Sequence, residues 1–404
     1  MDISAILNGS VPWTEKGIPY GAEVTPATVA AKRWNVLRGD LPFPLLLLRE
    51  SALAHNLAEM AAWCARNGFQ IAPHGKTTMC PQLYARQIAA GAWAITVANA
   101  SQALVCLRFG VKRVLIANQL VGPANIRSLA EALNQDPEVE FFCLADSAAG
   151  VDYLARGWEQ YGAQRPIGIL LEFGHRGWRT GVRSAEAAKD VHRAILSHRK
   201  HLCFRGVEAF EGHAQIDQEA DEFLAFLAGA AAPFAGQGER LLFSAGGSAF
   251  LGPVSRVLRR AGDAWQPVIR SGCYVTHDHG EYAERQEHRA GTPEDAELPR
   301  FRQALELWSY VQSMPDPGLA ILTFGKRDCS YDLGLPKPLD IPAAEITHLN
   351  DQHAFLKYSG DAGLAIGDRV RCGISHPCTA FDKWRVMPVV DDDYNVIDLY
   401  RTYF

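Results

Sequence analysis

No stretch of this chain is apolar for long enough to span a bilayer; the longest such run, residues 223–234, has the length of a buried helix. The opening Met1-Asp2-Ile3-Ser4 carries an early acid and no basic segment ahead of an apolar core, which argues against a secretory leader. Positive charge is not in excess. The formal net charge is −5, so no electrostatic footprint for nucleic acid or an anionic membrane surface is expected. Nine cysteines are scattered without the spacing of a small disulfide framework, and an odd number leaves at least one unpaired. Free thiols in a reducing cytosol are the simpler account, and a cytoplasmic protein is expected. Internal repeats and low-complexity tracts are missing, and no Gly-x-Gly-x-x-Gly turn opens a strand–helix unit as a dinucleotide site would require.

What is present is an ordinary globular composition, 48 % apolar and 21 % charged, spread over 404 residues, too many for one compact core. Short apolar runs at 69–72, 94–97, 113–117, 140–144, 167–172, 206–210, 241–244 and 267–270 alternate with amphipathic stretches at 80–90, 100–109, 124–134, 147–161, 185–197 and 217–231. Such alternation implies parallel strands covered by helices. Eight units suit a (β/α)8 TIM-type barrel; a doubly wound open sheet fits nearly as well, and the missing glycine fingerprint favours the barrel. From about Pro299 the pattern becomes strands alone, at 312–323, 353–357 and 369–374, with a closing hairpin from 385–390 to 396–397. The expected organisation is an α/β barrel over 50–285 and a smaller, mostly β domain built from 1–49 and 286–404. The charged stretch 285–297 would join them, and the run 45–48 would belong to the β domain.

The residues able to do chemistry cluster at the C-terminal ends of the expected strands, where barrel enzymes keep their sites. Lys76 follows the first, in Pro73-His74-Gly75-Lys76-Thr77-Thr78. An ε-amine becomes a nucleophile when burial or a neighbouring cation lowers its pKa, and a strand end facing a pocket offers both; a solvated loop lysine is the plain alternative. Arg179 lies beyond the fifth strand, and Glu211 and His213 beyond the sixth. Ser244-Ala245-Gly246-Gly247-Ser248 follows the seventh and Ser271-Gly272-Cys273-Tyr274 the eighth. Glycines flanked by hydroxyls let backbone N–H groups approach a phosphate, although a Gly-Gly pair is more often only a turn. A lysine at one strand end and a phosphate cradle at another together describe pyridoxal 5′-phosphate, held by its aldehyde and its phosphate. In the β domain, Ser375-His376-Pro377-Cys378 offers an imidazole and a thiolate two residues apart, a donor pair suited to zinc. A buried thiol beside an incidental histidine is the alternative, and Asp382, His348 and His353 are further ligand candidates that spacing does not rank.

These motifs, with Thr96-Val97-Ala98, Arg179-Thr180-Gly181-Val182 and Val207-Glu208-Ala209-Phe210-Glu211-Gly212-His213, resemble the D-serine dehydratase and D-threonine aldolase branch of the fold-type III, alanine-racemase-like pyridoxal-phosphate enzymes. The resemblance runs from about Pro44 to the C-terminus. It implies a head-to-tail homodimer acting on a small D-amino acid, with Lys76 as the Schiff-base lysine and Arg179 at the cofactor's phenolic oxygen. Ser244, Gly246, Gly247, Ser248, Gly272 and Tyr274 would take the phosphate, and His376 and Cys378 the metal. A His–Cys pair leans to the dehydratases, and Glu211 stands where the aldolases tend to carry a histidine that deprotonates the β-hydroxyl. The reaction expected on this basis is zinc-assisted dehydration and deamination of a D-serine-like substrate to a 2-oxo acid and ammonia, with Glu211 and His213 as candidate proton carriers. D-threonine aldolase chemistry is the alternative, ahead of racemisation or a non-catalytic cofactor-binding role.

Overall fold

The computed structural model describes residues 1–236, 240–293, 296–360 and 363–404. It divides into two compact units: Met1 with 61–76 and 87–272, and 2–60 with 77–86 and 273–404. The first holds eight parallel strands: Gln70–Ile71 (β1), Ile95–Val97 (β2), Arg113–Gln119 (β3), Glu140–Ala145 (β4), Ile167–Phe173 (β5), Leu202–Ala209 (β6), Leu241–Ala245 (β7) and Trp265–Ile269 (β8). Their order is β1-β8-β7-β6-β5-β4-β3-β2. The sheet curls until its ends meet: His74, just past β1, bridges Thr96 of β2, whose N–H donates to the Pro73 carbonyl at 2.9 Å and whose hydroxyl donates to Ala72 O at 2.7 Å. That closure selects the barrel over the open sheet.

The helices between strands form where short polar side chains cap them. Asn99, Ser147 and Ser184 each accept a hydrogen bond from a backbone N–H of the first turn, those of Gln102, Gly150 and Ala187. The helix Pro123–Gln135 buries Ile126, Leu129, Ala130 and Leu133, and Ala148–Gln160 buries Val151, Leu154, Ala155 and Trp158, each a stripe at helical spacing. In β6, Gly206 has φ +139°, and a Cβ there would lie 2.0 Å from Leu242 O of β7, so only glycine lets the strands approach. Among the described residues no helix is long and apolar enough to cross a membrane.

Period-two alternation sets the barrel interior. Ala72, Ala94, Leu115, Ala117, Phe142, Leu144, Leu170, Leu242 and Val268 pack into one apolar cluster. Two residues further along the same strands, on the same face, come His74, Thr96, Glu172, Ser244 and Arg270. Glu208 joins them, in register with Glu172 on one side and Ser244 on the other. A polar layer therefore lies directly above the apolar one, towards the strand ends that carry the candidate site.

In the second unit, strand Leu45–Arg49 runs antiparallel to Leu305–Asp316 and parallel to Val386–Val390, so residue run 45–48 belongs to the β sheet as expected. Leu45 to Leu48 are completely buried. Glu306 beside them accepts from Arg49, Arg371, Tyr394 and the Trp308 indole, which satisfies a carboxylate inside the sheet. One expectation needs correction. The run 312–323 is not one strand: the chain turns at Pro317-Gly318, with Gly318 at φ +74°, between Leu305–Asp316 and Leu319–Leu322. Residues 50–67, given no element above, form one long helix with Leu53, Leu57, Met60 and Cys64 on its buried side. By contacts the two units part at 272/273 and within that helix, and the segment from Cys273 bonds within the second unit: the Asn56 amide donates to Val275 O and Arg302 O. The proposed connection 285–297 begins in the helix Glu281–His288 and includes 294–295, which lie outside the described residues.

Candidate active site

Lys76 sits in a single helical turn, Gly75–Thr77, immediately beyond the bridge that closes the barrel, and is partly buried. His74, two residues earlier, is held well below the usual imidazole pKa by burial first and then by the cations of Lys76, Arg270 and Arg179. It is therefore neutral at physiological pH, and its Nδ1 is buried with no hydrogen-bond partner. Below it, Arg270 is 4 % exposed and Glu208 1 % exposed; the Arg270 guanidinium donates to Glu208, to Ala209 O at 2.8 Å and, through Nε, to Ser244 Oγ at 2.9 Å. Burial pushes Glu208 up to about 8 against the opposing pull of Arg270, and its Oε2 is a second buried atom without a partner.

Arg179 rides on the loop after β5. That loop folds back on its own strand: Gly174 N–H donates to Val182 O, Val182 N–H to Glu172 O, and the Thr180 hydroxyl to Glu172 at 2.6 Å. The Arg179 guanidinium lies 5.4 Å from the centre of the Phe210 ring. Together with Glu172, Trp178, Thr180, Phe210 and His213 it lines a small, half-open pocket. His213 meets Phe210 edge-on at 5.4 Å between ring centres and Trp178 at 5.8 Å. Burial and then Arg179 lower its pKa, so the imidazole is neutral, and its Nε2 is buried without a partner.

Glu211 behaves differently from the sequence expectation. It is completely buried and accepts from the N–H groups of Gly246 at 3.1 Å and Gly247 at 2.7 Å. Gly246 has φ +105°, and a Cβ on Gly247 would meet Phe210 at 2.9 Å, so both glycines are required for this turn. The turn is thus an anion-binding nest whose anion is a side chain of the same unit. Burial raises the Glu211 pKa, with the hydrogen bonds it accepts and Arg270 opposing. Glu211 does not line the pocket; His213 does. The polar layer of His74, Glu172, Glu208 and Arg270 was not singled out from sequence as site chemistry; its signal is a charged or imidazole residue closing an apolar strand.

Ser248 and Gly272 also lie in the first unit, whereas Tyr274, His376 and Cys378 belong to the second. Tyr274 is buried with its ring 5.7 Å from Phe301. His376, at φ +56°, is fixed by its backbone N–H to Asp278 at 3.1 Å and by its Nδ1 to Asp332 at 2.6 Å; Asp332 also accepts from the Thr379 hydroxyl at 2.7 Å. A carboxylate on Nδ1 fixes the ring and leaves Nε2 for a metal, the usual support of a ligating histidine. Asp332 was not foreseen. Cys378 Sγ lies 3.3 Å from Thr77 Oγ1 and 3.5 Å from Cys273 Sγ. Among the described residues no group of three or more His, Cys, Asp or Glu is assembled for a metal. The additional ligand candidates are engaged elsewhere: His348 with Asn350 at 3.0 Å and Asp382 with Lys383 at 3.4 Å, while His353 gives its carbonyl to Asn350 in the turn between two strands.

This arrangement fits pyridoxal phosphate: a lysine at the barrel mouth, orphaned polar atoms on His74, Glu208 and His213, and a cavity flanked by an arginine. For a metal, a fixed imidazole and a thiolate are a suitable pair of donors. Comparison with known proteins agrees on the group. Residues 304–390 match the family described as a putative serine dehydratase domain. A D-threonine aldolase of Arthrobacter sp. is 26 % identical over 368 residues, 86 % of this chain and 89 % of that protein. A 3-hydroxy-D-aspartate aldolase of Paracoccus denitrificans is 25 % identical over 362 residues, 86 % of this chain and 88 % of its own. Among solved structures, D-threonine aldolase from Filomicrobium marinum superposes with a TM-score of 0.78 at 23 % identity, covering 90 % of this chain and 95 % of that one. D-threo-3-hydroxyaspartate dehydratase from Delftia sp. HT23 does so at 0.73 and 20 %, covering 90 % and 98 %. A D-threo-3-hydroxyaspartate dehydratase is also solved with a histidine changed to alanine and, in a metal-free form, with a cysteine two positions on changed to alanine. The chain is a fold-type III, alanine-racemase-like pyridoxal-phosphate enzyme, related to the D-threonine aldolases and D-threo-3-hydroxyaspartate dehydratases.

Proposed function

We propose that this enzyme cleaves the Cα–Cβ bond of a D-β-hydroxy amino acid, giving glycine and an aldehyde. The observation that carries this reading is His213, a neutral imidazole whose Nε2 is buried and unpartnered beside the Arg179 cavity. Retro-aldol cleavage needs a base for the β-hydroxyl proton, and His213 supplies one where Glu211, tied to the glycine turn, does not. The curated relatives over most of the chain, both aldolases, support the same choice over the dehydration expected from sequence.

Bound pyridoxal phosphate supplies an electron sink for the carbon bearing the amino group. Lys76 would hold its aldehyde, Arg179 its phenolic oxygen, and Ser248 and Gly272 would stand at its phosphate. Tyr274, Ser244 and the N–H groups of Gly246 and Gly247 remain further candidates, the last two engaged by Glu211, which we assign as the residue positioning that turn. His213 takes the β-hydroxyl proton, the oxygen becomes a carbonyl as Cα–Cβ breaks, and Lys76 returns a proton to Cα. His376 and Cys378 would hold a zinc-type ion, a Lewis acid for the β-oxygen.

One observation favours the second reading, elimination to a 2-oxo acid and ammonia: the His-x-Cys spacing here matches the spacing of the two positions altered in D-threo-3-hydroxyaspartate dehydratase. D-Threonine separates the two. Retro-aldol cleavage yields glycine and acetaldehyde, whereas elimination yields 2-oxobutanoate and ammonia. His213→Asn should depress cleavage by about 10²–10⁴-fold while borohydride still fixes the cofactor on Lys76. Ammonia and a 2-oxo acid as the sole products would transfer the conclusion to the dehydratase reading, and inertness towards every D-β-hydroxy acid would end both.

A further inference from the structure

Cys378 does not stand alone. Cys273 opens the helical turn Cys273–Val275 and Cys378 opens the helix Cys378–Phe381, and their sulfurs are 3.5 Å apart, in van der Waals contact. Thr77 Oγ1 lies against both, at 3.3 Å from Cys378 and 3.9 Å from Cys273. Cys273 is 4 % exposed, whereas Cys378 is partly open to solvent. Two thiols in contact are the starting geometry of a disulfide, whose bond length of about 2.05 Å needs an approach of roughly 1.5 Å.

We propose that Cys378 and Cys273 form a reversible disulfide, a modification that withdraws the Cys378 sulfur from metal binding. The oxidant is a peroxide. It attacks the accessible sulfur first, converting Cys378–SH and H2O2 to Cys378–SOH and water. The Cys273 thiol then attacks that sulfur: the S–O bond breaks, the S–S bond forms, and a second water leaves with the Cys273 proton. Two electrons pass from the thiol pair to the peroxide, and a dithiol reductant returns them. The neighbouring thiol also intercepts the sulfenic acid before it goes on to the irreversible sulfinic acid, so Cys273 protects Cys378. Only the consequence for metal rests on the metal reading above; the disulfide rests on the sulfur geometry.

The test uses purified full-length protein, cofactor-loaded, with and without added zinc, treated with one equivalent of hydrogen peroxide and digested with trypsin without reduction. The expected product joins peptide 271–285 to peptide 372–383, about 2 Da lighter than their sum, and dithiothreitol separates it. Fragmentation must place the link on Cys378, not on Cys372 of the same peptide. In Cys273→Ser the link is lost and a cyclic dione captures sulfenic acid at Cys378. Dione adduct or sulfinic acid at Cys378 in the wild type, with no linked peptide, would overturn the proposal, as would a link to Cys372. In the zinc-loaded sample a chromogenic chelator should register metal release in step with the link. A link that forms in protein that never bound zinc leaves the disulfide standing and removes the metal reading instead.

Discussion

The ion pair inside the barrel gives a prediction whose size follows from the structure. Arg270→Met keeps most of the aliphatic volume and deletes the guanidinium, which serves Glu208, Ala209 O and Ser244 Oγ at once. Two costs separate by pH. The neutral acceptors lose their donor at any pH, about 1–3 kcal/mol for buried groups left unsatisfied. The ionic cost appears only where Glu208 is charged, and burial has pushed its pKa up to about 8. Between the ordinary 4.5 and about 8 the folded chain holds a proton that the unfolded chain lacks, so Glu208 makes stability fall as pH rises through that window. Above it the wild type ionises Glu208 against Arg270 while the variant must keep the proton, which at pH 9, about one unit past 8, adds about 1.4 kcal/mol to the first cost. With about 2–4 °C per kcal/mol for a unit of this size, the melting temperature should drop by roughly 2–12 °C at pH 6 and roughly 5–18 °C at pH 9. Glu208→Gln in the Arg270→Met background should erase the difference between the two pH values. Calorimetry finding an equal drop at pH 6 and pH 9, or a pH difference that persists in the double variant, would refute the assignment of Glu208 as the titrating partner.

Lys76→Ala should abolish turnover and the visible absorbance of the purified enzyme, and borohydride with tryptic mapping should find no reduced cofactor adduct, where the wild type carries it on Lys76. His279 is partly buried with Nδ1 enclosed and unpartnered, and burial, then Arg371 and Lys337, lower its pKa to about 4; it folds neutral, so its contribution is complete above 6.5 and is lost as pH falls towards 4. His277, lowered to about 4 by burial, His279 and Arg289, acts in the same sense, and each is worth about 3 kcal/mol. Urea midpoints at pH 7 and pH 5 should therefore lie closer together in His279→Gln than in the wild type, His277 keeping the rest of the difference, and an unchanged slope would remove His279 from this account. Asp332→Asn should weaken zinc binding about 10–100-fold by competition titration while leaving cofactor absorbance intact, since it touches His376 Nδ1 and not the lysine.

The strand ends were legible because each barrel strand is a short apolar run closed by polar residues, and the observed strands fall within a few residues of those runs. The helix stripes were legible for the same reason at a different period. What the sequence did not disclose is pairing between distant residues. Glu208 and Arg270 fall within two separate apolar runs, 206–210 and 267–270, that nothing in the sequence pairs; only barrel closure turns them inward against each other. Asp332 and His376 are 44 residues apart, and no spacing rule links them. The turn at Pro317-Gly318 was a different failure, since a proline–glycine pair is a strong turn signal that the apolar residues on either side outweighed.

Glu211 and His213 carry the same lesson into the chemistry. As sequence they are two polar residues on one strand end, equally suited to move a proton. The seventh strand separates them: the Gly246-Gly247 turn presents two N–H groups that need an acceptor, and the nearest carboxylate is Glu211. Once both Glu211 oxygens are taken, its lone pairs are directed at the backbone and its burial is compensated. His213 has no such partner for Nε2, and its neutral form is the one that can accept a proton. A histidine at position 211 would leave the nest without its anion, and the base we propose stands two residues later, where the chain has already passed the glycine turn. The glutamate that spoke against aldolase chemistry in the sequence is therefore compatible with it in the fold. Exchanging the two side chains, Glu211→His with His213→Glu, should lose both the ordered turn and cleavage, whereas a base indifferent to position would retain activity. Crystal structures of the exchanged and wild-type enzymes, with D-threonine turnover measured on each, decide between these outcomes.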